Sequence, residues 1–93
     1  MKKVGLLGCG AIGTQIALAI ESGKIPALLT HVYDESKDAS SKLVEKLKNK
    51  PVIVENPHLL SSNPIDIVIE AASQDAVKDV LMNQMYPENN KFL

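Results

Sequence analysis

Three glycines, Gly8, Gly10 and Gly13, stand at one joint in the stretch "VGLLGCGAIGTQIALAI", residues 4–20. A glycine inside a regular element costs roughly 0.5–1 kcal/mol relative to alanine, so three at one joint demand a compensating use. Val4 to Leu7 reads as a short, fully buried strand. From Ala11, the apolar residues Ile12, Ile16 and Ile20 recur every four positions, and Gly23 with Pro26 stops the helix they imply. A G-x-G-x-x-G spacing directly after a strand and at the opening of a helix gives each glycine a mechanical task. Gly8 turns tightly off the strand, Gly10 leaves room for a pyrophosphate, and Gly13 lets the helix press on the sheet. The free N–H groups and the dipole of the helix N-terminus favour the phosphates.

The rest of the chain repeats strand and helix. "LLTHVY", Leu28 to Tyr33, predicts a second strand, and Asp34 follows it, 21 residues past Gly13. An acid at that distance can accept hydrogen bonds from adenosine ribose hydroxyls. Ser36 predicts the cap of a second helix reaching about Asn49, with Ala39, Leu43 and Leu47 on one face. Lys46, Lys48 and Lys50 complement the negative end of its dipole. Pro51 opens a short third strand, "VIV", and "ENPHLLSSNP" reads as a turn or a 3₁₀ piece. Ile65 to Ala72 predicts a fourth strand, and Gln74 to Met85 a third helix with Ala76, Val77, Val80 and Leu81 inward. Such alternation implies right-handed crossovers and an α/β fold: a parallel sheet of about four strands, order 3-2-1-4, with helices on both faces.

With 93 residues, residues 1–93 are expected to form a single domain. A net charge of -1 without blocks of like charge argues against a nucleic-acid partner, and 3% aromatics leave few stacking platforms for bases. No apolar run approaches the roughly 20 residues that cross a bilayer, so no membrane partner is expected. One cysteine, Cys9, makes no internal disulfide and fits a reducing cytoplasm. The helix N-terminus could lower the Cys9 pKa, but a small residue accommodated in the turn is the preferred reading. Neither His31, in the second strand, nor His58, in the third loop, is assigned a catalytic role. Glu70 is left unassigned, and no metal-ligand spacing emerges.

"VGLLGCGAIGTQIALAIESGKIPALLTHVYD" followed by "DIVIEAASQDAV" resembles the cofactor domain of the L-aspartate dehydrogenase family, over roughly residues 3 to 81. "EAASQDAV", Glu70 to Val77, is the more specific element. The resemblance implies a minimal Rossmann-like domain and an enzyme that oxidises L-aspartate to iminoaspartate with NAD or NADP. It places Gly8, Gly10, Ala11, Ile12 and Gly13 at the pyrophosphate and Asp34 at the adenosine ribose. Ala71, Ala72 and Ser73 would line the nicotinamide-ribose side, although Ser73 also suits a helix N-cap. Asp34 and Glu35 favour NAD over NADP, because both oppose a 2′-phosphate. Family members carry a second domain that holds the amino acid and a catalytic histidine. The resemblance fades near Met82, so the chain alone is expected to bind cofactor without oxidising aspartate. The alternatives are a stand-alone dinucleotide-binding or sensor module and the cofactor domain of a homoserine dehydrogenase-like enzyme. An apolar fourth strand at a sheet edge predicts a homo-oligomer formed through residues 65 to 85.

Overall fold

The computed structural model describes residues 1–62 and 64–71. They form β1 (Lys2–Leu7), α1 (Ala11–Glu21), β2 (Ala27–Tyr33), α2 (Lys37–Glu45), β3 (Val52–Ile53), α3 (His58–Ser62) and β4 (Ile67–Glu70). The expected third helix, residues 74–85, lies outside the described residues. All strand pairs are parallel and the order is β3-β2-β1-β4, as the alternation of elements predicts.

Parallel strands covered on both faces bury nearly continuous apolar runs, and β1 does so with Val4 and Leu6 at 1% and 0% exposure. Ile16, Ala17 and Ile20 of α1 and Leu43 of α2 close over one face of the sheet. Leu60 of α3, with Ile65 and Val68, fills the other face beneath Leu7 and Tyr33. Gly5 makes that second layer possible, since a Cβ there would stand 3.0 Å from Ile65 Cδ1 and 3.2 Å from Leu60 Cδ2.

One irregularity in β2 escapes the sequence pattern. Leu29 and Val32 are three residues apart, so a regular strand would point them to opposite faces. Both are buried in the same cluster. The register resolves the conflict: Val4 pairs with Leu29 and Gly5 with His31, leaving Thr30 as an extra residue. This bulge restores the alternation and carries the carboxyl end of β2 in step with Leu7. Thr30 Oγ1 donates to Val4 O across it, at 3.3 Å.

Strand ends differ from expectation by one or two residues, and three differences among the elements have a visible cause. Helix α2 is capped by Ser36, whose Oγ accepts from Ala39 N at 3.2 Å, but it ends at Glu45 rather than near Asn49. The would-be last turn is claimed from elsewhere: Glu21 Oε1 accepts from the N–H groups of Lys48 and Asn49. Of the three lysines, Lys50 turns back to donate from Nζ to the carbonyls of Val44 and Glu45. The segment 58–62 is an α-helix rather than a turn. Asn56 Oδ1 accepts from His58 N at 2.9 Å, and Pro57 needs no acceptor at the helix entry, so Asn56-Pro57 starts a helix. Strand β4 begins at Ile67, because Asp66 is occupied with Lys3 through its carboxylate and its own N–H.

Candidate functional site

The carboxyl ends of β1, β2 and β4 meet at the glycine turn. Gly8 leaves β1 with φ +107°, a conformation open to glycine at little cost, and its N–H donates to Tyr33 O at 2.8 Å. The turn brings Gly8 O against the first turn of α1. A Cβ on Gly13 would lie 2.1 Å from that oxygen and 2.9 Å from Gly8 C. Helix and turn are thus in backbone contact, which residue 13 permits by having no side chain.

Gly10 is the N-cap of α1 and contributes no side-chain cap. Among the described residues nothing stands within 4 Å of where its Cβ would be, so they leave the turn open at this point. Among the described residues, the N–H groups of Gly10, Ala11, Ile12 and Gly13 find no acceptor, and the first turn of α1 holds no acid. Unfilled donors at the positive end of an 11-residue helix, beside open space, fit an anionic group such as a pyrophosphate. Ala11 is exposed and Ile12 half-buried.

Asp34 is bound into the turn. Its Oδ2 accepts from Cys9 N at 2.7 Å and its Oδ1 from Ser36 N at 2.8 Å. One carboxylate therefore joins the glycine turn to the entry of α2, a role the sequence pattern did not reveal. Each oxygen retains a lone pair for a further donor, so the carboxylate can hold a ribose hydroxyl without leaving the turn.

Cys9 faces the opposite way. It is 3% exposed, belongs to the core, and its Sγ lies 3.6 Å from Tyr33 O. Burial, reinforced by the Asp34 charge, pushes the thiol up from 9.0 to about 12, so the lowered pKa considered from sequence is not found. A thiol ionising later in the folded state than in the unfolded one leaves stability intact below about pH 9 and removes it as pH rises toward 12. At pH 8, iodoacetamide is expected to alkylate Cys9 about 10³-fold more slowly in the native chain than in urea. Equal rates would place the thiol in an exposed, activated position.

A cavity of about 480 Å³ lies at this end of the sheet, bounded by Leu7 and Gly8, by Tyr33, Asp34 and Glu35, and by Glu70. A second, of about 290 Å³, runs from Asp34 past Lys37 and Ser40 to Ile53 at the end of β3. Neither histidine lines them. His31 pairs its Nδ1 with Thr30 Oγ1 at 2.8 Å, and His58 is exposed at the start of α3. Ala71 is buried behind the turn and donates its N–H to Leu7 O at 2.8 Å; Ala72 and Ser73 lie outside the described residues. Tyr33 and Glu70 are among the lining residues to which the sequence alone assigns no role. Their signal was position, since residues ending parallel strands face the ligand crevice.

A doubly covered parallel sheet, a glycine turn pressed on a helix N-terminus and an acid just after the second strand are the features of a dinucleotide-binding domain. The chain belongs to the family described as "Homoserine dehydrogenase, NAD binding domain", whose model matches residues 8–85. It is 74% identical over 83 residues to the L-aspartate dehydrogenase of Nitrosopumilus maritimus (strain SCM1), covering 89% of this chain and 30% of the relative. The L-aspartate dehydrogenase of Methanococcoides burtonii is 41% identical over 87 residues, 92% of this chain and 31% of its own. That of Methanocaldococcus jannaschii is 36% identical over 92 residues, 98% and 33% respectively. The chain therefore spans about 30% of the length of the curated relatives it matches. No helix among the described residues is long and apolar enough to cross a membrane.

Proposed function

We propose that the chain is the cofactor-binding part of an L-aspartate dehydrogenase, using NAD in preference to NADP. The observation that carries the reading is the turn itself: open at Gly10, closed at Gly13 and held by Asp34. In this reading the N–H groups from Gly10 to Gly13 bind the pyrophosphate, with Gly8, Ala11 and Ile12 shaping the turn around it. Asp34 accepts from the adenosine ribose hydroxyls, and Ala71, Ala72 and Ser73 flank the nicotinamide ribose. A dinucleotide held here would supply the hydride acceptor for the oxidation of aspartate to iminoaspartate. The residues of this chain hold and orient; a second domain in the relatives would supply the amino-acid contacts and the proton transfer.

Aspartate is favoured over homoserine as the substrate of the whole enzyme by the relatives, which carry the name L-aspartate dehydrogenase at 74% and 41% identity. NAD is favoured by charge: Asp34 and Glu35 follow β2, where a 2′-phosphate would meet two carboxylates. A cytoplasmic location is supported by the lone cysteine, buried as a free thiol. Association through residues 65–85 is supported by the place of β4 at the outer edge of the described sheet.

Calorimetric titration of the chain with NAD and NADP tests the cofactor assignment. NAD is expected to bind severalfold or more tightly than NADP, and a chain that binds neither would overturn it. The substrate assignment is tested by a chimera in which this chain replaces the matched segment of the Nitrosopumilus maritimus enzyme. NAD-dependent oxidation of aspartate, and not of homoserine, is the expected result. Sedimentation of the chain as a sharp monomer at high micromolar concentration would remove the association.

A further inference from the structure

Glu70 ends the register between β1 and β4, where its Cα partner is Leu7. In a sheet ordered β3-β2-β1-β4 the direction of winding reverses between β1 and β4, so Glu70 stands at the switch point, on the carboxyl side where ligands enter. Its side chain is exposed, and among the described residues no hydrogen bond or ion pair holds its carboxylate. Glu70 lines the 480 Å³ cavity together with Asp34 and Glu35, and among the described residues no lysine or histidine lines it.

The three acids are not equivalent. Asp34 is tied to two backbone N–H groups, and Asp34 and Glu35 also line the neighbouring cavity toward β3. Glu70 lines not the cavity toward β3 but the one at the switch point. A pyrophosphate would be repelled there and is better served by the unfilled donors of α1. What gains beside an unpaired carboxylate is a group with positive charge. A nicotinamide dinucleotide has one such group, its ring, which is positive when oxidised and neutral when reduced.

We infer that the Glu70 carboxylate selects the oxidised cofactor over the reduced one, acting on the positive charge of the nicotinamide ring. The inference rests on the dinucleotide reading of the site. Glu70 attracts the ring before hydride transfer and has no charge to attract after it, so the reduced cofactor is the weaker ligand at this position. The residue sets a binding preference and does not take part in the transfer. At a solvent-open cavity the interaction is screened, and a preference of about three- to tenfold is the expected scale.

The test compares the full chain with a Glu70→Gln variant, which keeps the shape of the side chain and removes its charge. NAD⁺, NADH and ADP are titrated into each, by calorimetry and by NADH fluorescence. In the variant the ratio of the NADH to the NAD⁺ dissociation constant is expected to fall about three- to tenfold, with no loss of ADP affinity. In the unsubstituted chain the same ratio should shrink when salt is raised to about 0.5 M, a measurement that needs no variant. A ratio insensitive to both changes, or an equal loss of ADP affinity, overturns this inference alone. Failure of the unsubstituted chain to bind either form overturns the dinucleotide reading as well.

Discussion

Replacing Gly13 with alanine is expected to lower the melting temperature by about 10–20 °C and to weaken NAD binding at least tenfold. The added methyl would stand 2.1 Å from Gly8 O and 2.9 Å from Gly8 C, both backbone atoms. No side-chain rotation can relieve that contact, so the helix must move off the turn by about an ångström. Overpacking of this kind typically costs about 1–3 kcal/mol, and a backbone obstacle puts it at the upper end. In a domain this small each kcal/mol shifts the midpoint by about 4–8 °C. Displacement of α1 also moves the N–H groups at its start, which weakens any anion they hold. Gly10→Ala supplies the contrast. Its φ of -75° suits any residue and its Cβ would meet nothing within 4 Å among the described residues, so stability should hold while a methyl obstructs the open face of the turn. Thermal denaturation and NAD titration of the two variants separate the roles. Equal stability of Gly13→Ala and the unsubstituted chain would refute the backbone contact.

The turn was legible because its demands are local. A strand, three glycines, a helix and an acid at fixed spacing leave few geometries, and the order of the strands followed from alternating elements. What stayed hidden depends on contacts far apart in sequence. The end of α2 at Glu45 is set by Glu21, a residue of another helix that takes the N–H groups of Lys48 and Asn49. The bulge at Thr30 answers the burial of Leu29 and Val32 on one face, which a strand taken alone does not disclose. Cys9 reads from sequence as a residue at the mouth of the turn. In the fold its backbone N–H faces Asp34 while its thiol enters the core, and a motif cannot tell those two directions apart. Helix α3 is the opposite case, since Asn56-Pro57 ahead of two leucines was a readable start signal that a proline-broken appearance obscured.

Asp34→Ala is expected to affect stability, cofactor affinity and cofactor choice together. The substitution removes the acceptor of Cys9 N and that of Ser36 N. Hydrogen bonds to a charged group contribute about 1.5–3 kcal/mol each, and the exposed one at Ser36 contributes less because water replaces the carboxylate. A loss of about 2–3 kcal/mol in stability follows, most of it from Cys9 N, whose residue is buried. NAD affinity should fall roughly 10- to 100-fold with the ribose contact. NADP should lose less, because the charge that opposes its 2′-phosphate leaves at the same time, so the preference for NAD narrows. Asp34→Asn isolates the charge: it keeps one acceptor oxygen and should retain more stability while still narrowing the preference. In both variants Cys9 should ionise at lower pH than in the unsubstituted chain, yet stay above its ordinary value, since burial is the larger cause of its shift. Calorimetric titration with NAD and NADP, together with alkylation of Cys9 across pH 8 to 11, reads all of these effects. An Asp34→Ala chain with unchanged NAD affinity and unchanged thiol reactivity would remove Asp34 from the site.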